Sequence, residues 1–581
     1  MKSNRSVRAE PYDNFDVAVY TTVYQVQKME DQEWLEDSFS ILSQYVHVDK
    51  VYLEVHRNEI VADEETLLKA KGFFEDHGVE VAGGITYTVP PAGYFRFRSY
   101  CYSDPEQRER AREIVEYAAR LFDEVILDDF FFTNCKCPKC IEAKGERSWT
   151  EFRMELMRDA AEELIVGPAK EVNPQVKVVI KYPNWYDHFQ YCGFDLETGP
   201  QIFDGIYTGT ETRDPVYTHQ HLQAYESYGV FRYFENVAPG RNGGGWVDPF
   251  ARGTLDRYAE QLSLTLFAKA PEITLFSYDN LFRMFQRSDG EATPITQLAR
   301  VAGYVFDRVD SFAGELGEPL GVKSYKPYHS SGEDFLPNYI GMLGVPMHIV
   351  PEFPAEESVV FLTEQASSDE DIVEKIKDQL LRGGDVMITS GLLRALQGQG
   401  IEDLVELEVT DKKALVRRFY DWREVYPSDY EILIPQIRYA TNDSWELITA
   451  LDSHSGSGYP TLMGVDYGEG RLYVLTIPDN VGDLYAYPQE VLTYIKKVLL
   501  DDFFVYTDSP SGVSVFVYDN DTFIVSSFKE HGQRVKIVVD AAFSKLVELQ
   551  SGREIEGRAE GDDVVFETYV QPHEYQVFRV K

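Results

Sequence analysis

The 581-residue sequence is short of basic residues, of cysteine and of long apolar runs. Lys and Arg number 56 against 97 Asp and Glu, which leaves a formal net charge of −41. A chain with this much negative charge repels phosphate groups. We therefore expect that it binds neither nucleic acid nor an anionic membrane surface. No apolar run approaches the ~20 residues that cross a bilayer, and the amino-terminal stretch shows no apolar signal segment. We therefore predict a cytoplasmic location.

Two further absences narrow the function. No glycine-rich phosphate loop follows the first predicted strand, so a nucleotide site is not expected. Five cysteines in so long a chain do not make a disulfide framework. Aromatic residues are plentiful at 14%, and many Tyr and Trp fall in predicted loops, where their rings can stack on sugars. These features favour a carbohydrate partner and predict no catalytic cofactor.

The first three hundred residues alternate short apolar runs with segments of helical periodicity. Eight runs read as strands: Phe15–Tyr24, Val51–Val55, Val79–Thr86, Val125–Leu127, Val176–Lys181, Phe203–Tyr207, Val230–Phe234 and Ile273–Phe276. Helical segments separate most of them. Eight alternating units predict a (β/α)8 TIM barrel of parallel strands.

Polar side chains follow most of these predicted strands. In a parallel barrel the chemistry lies where the strands end, on the loops of the carboxyl-terminal face. The residues there are Arg57 after the second strand, Asp128 and Asp129 after the fourth, Lys181 and Trp185 after the fifth, Glu211 after the sixth, Glu235 and Asn236 after the seventh, and Tyr278 after the eighth. Such an acidic and aromatic rim suits glycosidic bond cleavage, which needs a carboxylic acid and an opposing carboxylate.

The sequence leaves several catalytic arrangements open. Strands four and seven face each other across a barrel, so Asp129 and Glu235 are the first candidate pair. Asp128 or Asp129 could instead work with Glu211, as a retaining or an inverting pair. The two adjacent aspartates could also serve an enzyme that uses a substrate acetamido group as its nucleophile. A barrel that binds sugar without cleaving it is the remaining alternative.

Four cysteines form a second motif beside the fourth strand. Cys135, Cys137 and Cys140 have the spacing C-x-C-x2-C, and Cys101 lies in the loop after the third strand. Because these loops are neighbours in a barrel, the four sulfurs can converge. Four thiolates with no open position are typical of a structural zinc site. Free thiols or a disulfide are the alternatives, and Cys192 is left over as a lone thiol.

Three segments together resemble glycoside hydrolase family 42, the trimeric microbial β-galactosidases. They are the cysteine motif, the segment FRYFENVAPG at residues 231–240, and residues 326–346 after the barrel. The resemblance implies a retaining enzyme with Glu235 as nucleophile and Asp129 as acid/base, a sugar site that includes Trp246, a structural zinc, and a homotrimer. The family has Asn-Glu where this chain has Asp128-Asp129, which implies another substrate or a different catalytic pair.

The remainder of the chain predicts two further domains. Residues 313–502 alternate strands and helices without a phosphate loop, as in a flavodoxin-like α/β domain, which the resemblance makes a trimerisation domain. Residues 503–581 show period-2 patterns separated by turn signals, which predict a small antiparallel β-sandwich. The predicted domains are thus 1–312, 313–502 and 503–581.

Overall fold

The computed structural model describes residues 9–90, 98–213, 222–250, 254–286 and 292–581. Contacts divide the chain into two compact units, Met1–Gly314 and Glu315–Lys581. Within the described ranges no helix combines the length and apolar character needed to cross a membrane.

The first unit is a closed barrel of eight parallel strands. These are β1 (Asp16–Thr21), β2 (Lys50–Arg57), β3 (Glu80–Ile85), β4 (Glu124–Leu127), β5 (Lys177–Tyr182), β6 (Gly205–Gly209), β7 (Asn242–Val247) and β8 (Glu272–Phe276). Each strand pairs with the next, and β1 pairs with both β2 and β8, which closes the sheet. The predicted TIM barrel is confirmed.

Helices cover the outside of the barrel. They are Val23–Lys28, Gln32–Leu42, Glu64–Asp76, Pro105–Leu121, Pro138–Lys144, Trp149–Ala160, Ala161–Val166, Gly167–Val172, Phe189–Cys192, Gly199–Ile202, Glu226–Val237, Leu255–Phe267 and Gln297–Ala313, with short turns at Tyr186–His188 and Tyr278–Asn280. Two small hairpin pairings, of Ile60–Val61 with β2 and of Arg283–Gln286 with Ala292–Ile295, complete the unit.

The barrel interior is built in layers, because residues two apart on a strand share a face. On β2, Lys50, Tyr52 and Glu54 are all buried and rise in that order from the amino end to the carboxyl end. The aromatic middle layer consists of Tyr20, Tyr52, Tyr207 and Trp246. Charged side chains lie below it at the strand starts and above it at the strand ends.

The prediction for the seventh strand was wrong. Val230–Phe234 belongs to the helix Glu226–Val237, whose bulky apolar residues are buried so extensively that they resemble a strand run. The real β7 carries Gly243, Gly244 and Gly245, which weaken any strand signal. These glycines are needed for close packing, since a Cβ at Gly243 would lie 2.7 Å from the ring of Tyr207.

The second unit contains a nine-stranded sheet and two smaller sheets. The large sheet begins with five parallel strands in the spatial order Met347–Val350, Val322–Tyr325, Val359–Leu362, Asp385–Thr389 and Gly470–Leu475. Numbered along the chain this is 2-1-3-4-5, the flavodoxin order. Antiparallel strands Gly458–Tyr467, Trp445–Asp452, Leu407–Tyr420 and Val425–Tyr439 extend it. The helices of this unit are Leu336–Met342, Ile372–Leu381, Ser390–Leu396 and Gln489–Leu499.

The two smaller sheets form an antiparallel β-sandwich. One contains Pro319–Leu320, Val513–Tyr518, Thr522–Ser527, Tyr575–Val580, Lys545–Glu548 and Glu554–Glu556, and the other contains Val505–Asp508, Gln533–Asp540, Asp563–Val570 and Arg558–Glu560. Apolar residues of both sheets share one core. The predicted fold class is therefore confirmed along the chain, while the division at residues 312 and 502 stays a prediction.

Candidate active site

The carboxyl ends of four strands deliver charged side chains to one point. Glu54 comes from β2, Asp128 and Asp129 follow β4, Lys181 lies near the end of β5, and Glu211 follows β6. All belong to the face that holds active sites in parallel barrels. The structure thus brings together five residues from strands up to 157 positions apart, between Glu54 and Glu211.

Lys181 is the centre of this cluster. Its Nζ lies 2.6 Å from Glu211 Oε1, 3.1 Å from Asp129 Oδ2 and 3.9 Å from Asp128 Oδ1. The ammonium also lies 5.0 Å from the ring centre of Trp246, which supports it from the aromatic layer below. Only 4% of the lysine side chain is exposed. Burial disfavours its charge, but the three acids outweigh this effect and raise the pKa of Lys181.

The two adjacent aspartates lie in different electrostatic environments. Burial alone would raise the pKa of Asp128, but Lys181 and Arg57 hold it below its ordinary value. For Asp129 the effect of burial is larger than that of Lys181, whose charge favours the ionised acid. Burial, together with the negative charges of Asp128 and Glu211, raises the pKa of Asp129 to about 7. Asp129 keeps 17% of its side chain exposed, against 4% for Asp128. One carboxylate is thus buried and ionised, while its neighbour is accessible and can hold a proton near neutral pH.

A hydrogen-bond network fixes Asp128 from below. Arg57 donates to Asp128 Oδ2 at 2.8 Å and to both oxygens of Glu54 at 3.0 Å. The Thr86 hydroxyl donates to Glu54 at 2.5 Å and lies 3.2 Å from Asp128 Oδ2, and Tyr20 donates to Glu54 at 2.8 Å. This network orients Asp128 and leaves Asp129 as the more accessible acid of the pair.

Sequence reasoning missed an ion pair at the same rim. Arg213 donates two hydrogen bonds to Asp248, from Nε to Oδ1 at 3.2 Å and from the terminal nitrogen to Oδ2 at 2.7 Å. Burial lowers the pKa of Arg213, but Asp248, with Glu211 and Asp129, more than reverses this effect. Asp248 directly follows β7, so the strand-end rule would have found it had that strand been placed correctly.

The structure places Glu235 and Asn236 away from this rim. Both lie in the last turn of Glu226–Val237, which runs back from the end of β6 towards the start of β7. They therefore lie at the opposite end of the barrel, where Glu235 Oε1 accepts a hydrogen bond from the backbone of Gly240 at 2.8 Å. Glu235 cannot face Asp129 across a sugar, and the predicted pair of Asp129 with Glu235 was wrong.

The three aromatic residues predicted to line the sugar site lie in different places in the barrel. Tyr278 is fully buried, and its hydroxyl contacts Ser38 at 3.0 Å, so it packs against the helical layer and does not line the rim. Trp246 is fully buried beneath Lys181 and forms part of the floor of the site. Trp185 is only partly buried and meets Phe132 edge-on at 6.2 Å, near the end of β5.

The four predicted metal ligands do converge. The Sγ atoms of Cys101, Cys135, Cys137 and Cys140 all lie within 4.8 Å of one another. Three of the separations are 3.5, 3.7 and 3.7 Å, and all five cysteines of the chain are free thiols. Sulfurs about 2.3 Å from a tetrahedral zinc would be about 3.8 Å apart, so the donor set fits such an ion.

Comparison with protein families decides the class of the barrel. Residues 4–315, more than half of the chain, match the family model described as "Probable glycosyl hydrolase, catalytic domain". The chain belongs to this family. Residues 317–480 match the second domain of "Uncharacterized protein SSO3021", and residues 504–580 match "Probable glycosyl hydrolase, C-terminal domain". As a member of this family the chain is a glycoside hydrolase, and the alternative of a sugar-binding scaffold is not supported.

One curated relative and two solved structures match most of the length of the chain. The chain is 26% identical over 541 residues to uncharacterized protein SSO3021 of Saccharolobus solfataricus, covering 84% of this chain and 86% of that protein. Among solved structures, a β-galactosidase from Halorubrum lacusprofundi aligns over 97% of this chain and 99% of its own, with 12% identity and a TM-score of 0.66. A β-galactosidase from Bacillus circulans aligns over 99% of this chain and 100% of its own, with 11% identity and a TM-score of 0.64. At this identity the structural likeness establishes the shared fold.

Proposed function

We propose that this glycoside hydrolase uses Asp129 and Glu211 as its catalytic pair and retains anomeric configuration. The observation that carries the proposal is their shared contact with Lys181, at 3.1 and 2.6 Å. The two contacting oxygens are therefore separated by at most the sum of these distances, 5.7 Å. Retaining carboxyl groups lie about 5–5.5 Å apart, whereas inverting pairs need about 6.5–9.5 Å to admit a water molecule.

The two acids take different roles in this proposal. Asp129, with its pKa raised to about 7, holds the proton that passes to the leaving oxygen as the glycosidic bond breaks. Glu211 attacks the anomeric carbon and forms a glycosyl ester. Asp129, now ionised, takes a proton from water, whose oxygen displaces Glu211 from the sugar. Lys181 keeps both carboxyl groups in position, and Asp128 with Arg57 fixes the loop that carries Asp129.

Matched substitutions test this pair on a panel of phenyl and alkyl α- and β-glycosides, whose poor leaving groups need protonation as they depart. We expect Asp129→Asn and Glu211→Gln each to lower kcat/KM at least a thousandfold while the protein stays folded. Glu235→Gln, on the far side of the barrel, is the control and should stay within a few-fold of the parent. The pair is disproved if either rim variant also stays within a few-fold.

Azide separates the two roles with an activated aryl glycoside. Azide should replace the missing nucleophile in Glu211→Gln and yield a glycosyl azide of inverted configuration. In Asp129→Asn it should intercept the glycosyl ester and yield the retained azide. The opposite pattern would exchange the roles, and no azide product from either variant would argue against a glycosyl ester.

A second arrangement is favoured by the contrast between Asp128 and Asp129. An ionised aspartate beside a protonated one is also what a substrate acetamido nucleophile requires, with Asp128 orienting that group and Asp129 protonating the leaving oxygen. This arrangement predicts hydrolysis of 2-acetamido glycosides only, and it predicts that Glu211→Gln is well tolerated. The Asp129–Glu211 pair predicts instead that glycosides without an acetamido group are hydrolysed and that Glu211→Gln loses most of its activity.

We propose further that Cys101, Cys135, Cys137 and Cys140 hold a structural zinc ion. Their mutual distances and the absence of disulfides support a closed thiolate site that ties the loop after β3 to the loop after β4. We also propose a cytoplasmic location, where the four thiols would stay reduced and able to bind zinc. Metal analysis of the purified protein should find about one zinc per chain, and less than a tenth of that in Cys135→Ser with Cys140→Ser. Equal zinc in parent and variant would refute the site.

We propose finally that the chain forms a homo-oligomer, a trimer by its resemblance to family 42, through the hairpin Leu407–Tyr420 and Val425–Tyr439. Leu415 and Leu433 pair directly across this hairpin and are 41% and 39% exposed. The strand Val425–Tyr439 is also the edge of its sheet. Light scattering should show a multiple of 66.6 kDa for the parent and a monomer for Leu415→Lys with Leu433→Glu. Tyr304→Ser, which removes an exposed ring elsewhere, should not alter the mass.

A further inference from the structure

A cleft in the β-sandwich is lined by positive charge, although the chain as a whole is strongly acidic. Its volume is about 660 Å³, which lies within the range of small-ligand sites. Residues from both sheets and from the helix Gln489–Leu499 line it. Among them are Arg534, Lys536 and Arg553, against only two acids, Asp508 and Glu567. This surplus is notable in a chain with 97 acids and 56 bases.

Pairing within the sheet directs these side chains outward together. Arg534 lies directly opposite Tyr569, and Lys536 lies directly opposite Glu567. Directly opposed residues of antiparallel strands share one face, and the intervening Val535 and Thr568 are buried on the other. The outer face therefore presents a guanidinium beside an aromatic ring that is 50% exposed.

The charges of the cleft are unevenly satisfied. Asp508 accepts hydrogen bonds from Gln489 at 2.7 Å and Thr493 at 3.0 Å, and it lies 3.4 Å from the ammonium of Lys536. Arg534 and Arg553, by contrast, form no side-chain ion pair or hydrogen bond within the part of the chain that the structure describes. Two guanidinium groups therefore remain available to a ligand.

We infer that this cleft binds a saccharide that carries a carboxylate, that is, a uronic acid unit. Arg534 and Arg553 would bind the carboxylate, since the planar guanidinium matches that group in two-point contacts. Tyr569 would stack on the apolar face of the sugar ring. Glu567 and the amides of Gln489 and Gln576 are placed to bind hydroxyl groups.

The lining favours a saccharide over a phosphate polymer. Asp508 and Glu567 lie among the cations, so the cleft suits one anionic group surrounded by hydroxyls and repels a continuous run of phosphates. The net charge of −41 opposes any long polyanion in the same way. The cleft belongs to the second unit, and the inference does not depend on Asp129 or Glu211.

Calorimetric titration of the 581-residue protein with a trisaccharide that carries a single terminal galacturonate tests the inference without using turnover. We expect saturable binding that weakens with salt. The carboxyl-reduced trisaccharide, in which that carboxylate has become a primary alcohol, should bind at least tenfold more weakly. Arg534→Gln with Arg553→Gln should weaken binding of the uronide at least tenfold as well.

Two control proteins make the result specific. Lys545→Gln with Arg558→Gln removes two charges from the same sandwich where each is paired with glutamate, and it should bind within twofold of the parent. Glu211→Gln should also bind within twofold of the parent, and it excludes turnover of the probe during the titration. The inference is overturned if the parent shows no saturable binding, if the reduced sugar binds equally well, or if the cleft variant binds like the parent. A sulfated trisaccharide that binds tighter than the uronide would also overturn it, in favour of a sulfate site.

Discussion

Two buried lysines, one at each end of the barrel, each form ion pairs with at least two acids. At the strand starts Lys50 lies 2.5 Å from Glu124 and 3.5 Å from Glu272. At the strand ends Lys181 lies 2.6 Å from Glu211 and 3.1 Å from Asp129. Both clusters contain an acid whose pKa is raised by burial to about 7, Glu272 below and Asp129 above. A shifted pKa therefore does not by itself identify the catalytic end.

The two clusters differ in how fully their acids are hydrogen-bonded. Glu272 accepts from Tyr52 at 3.1 Å, Thr274 at 3.0 Å and Tyr207 at 3.4 Å, in addition to its contact with Lys50. Within the described residues the carboxyl group of Asp129 is contacted by Lys181 alone. A carboxyl group with four donors is held in place, whereas one with a single donor has lone pairs left for a substrate. The lower cluster is structural and the upper one is suited to chemistry.

Of the two lysines, Lys181 at the strand ends should have the larger effect on catalysis when it is replaced. We expect Lys181→Met to lower kcat/KM by about a hundred- to ten-thousandfold, because Asp129 and Glu211 would then repel each other and share one proton. The alkaline limb of the pH profile should shift upward for the same reason. Aryl glycoside kinetics against pH, with circular dichroism to verify folding, measures both effects. Activity within fivefold of the parent would remove Lys181 from the site.

Replacing the lower lysine should instead destabilise the fold. Lys50→Met leaves Glu124 and Glu272 without their cation, and we expect a loss of about 3–5 kcal/mol in the free energy of unfolding. Activity per folded molecule should stay within a few-fold of the parent. Urea denaturation followed by tryptophan fluorescence gives the first quantity, and kinetics below the transition gives the second. A large kinetic defect in the folded variant would contradict the division of roles.

The pH dependence of stability should distinguish the two acids next. Both have folded-state pKa values of about 7, above their ordinary values of about 4, so the folded state binds more protons and its stability falls as pH rises between those values. Glu272→Gln should reduce this fall by about 3 kcal/mol and leave the pH profile of kcat/KM unchanged. Asp129→Asn should also reduce it, but with loss of activity.

Urea titrations between pH 4 and 8 measure these differences against the parent. Other buried acids contribute to the parent curve, so the comparison of variant with parent carries the result. A Glu272→Gln curve parallel to that of the parent would show that its carboxyl group does not titrate in this range. A shifted activity profile in the same variant would connect the lower cluster to catalysis.

Much of the upper cluster could be predicted from the sequence. The segments before Asp128, Lys181 and Glu211 are runs of apolar and β-branched residues, and parallel strands must end on one face. The sharing of one lysine by several acids could not be predicted, because side-chain distances depend on how the barrel closes. Sequence spacing places Asp129 and Glu211 82 positions apart and says nothing of their separation in space.

The failure at β7 has a physical cause. Three consecutive glycines give a strand no side chains to recognise, yet each is required by a neighbour that approaches closely. The preceding helix is rich in valine, phenylalanine and tyrosine, so its sequence resembles that of a buried strand. Because Glu235 lies in this helix, it was wrongly placed at a strand end. The misplaced strand also concealed Asp248, which forms its ion pair with Arg213 just beyond the true strand end.

The smallest predicted effect concerns two adjacent tyrosines that serve opposite ends. The rings of Tyr20 and Tyr52 are 6.2 Å apart in the aromatic layer. Tyr20 donates upward to Glu54 at 2.8 Å, and Tyr52 donates downward to Glu272 at 3.1 Å. Each Tyr→Phe change removes one hydroxyl at nearly constant volume and should cost about 1–2 kcal/mol in the free energy of unfolding.

Only one of these two variants should alter catalysis. Tyr20→Phe loosens Glu54, which with Arg57 orients Asp128 beside the acid, so we expect kcat to fall several-fold with little change in KM. Tyr52→Phe should leave both constants within twofold, because its partner belongs to the structural cluster. Parallel urea denaturation and steady-state kinetics on the two variants make the comparison. Equal kinetic effects would mean that the aromatic layer couples the two ends, since a hydroxyl below it would then reach the chemistry above it.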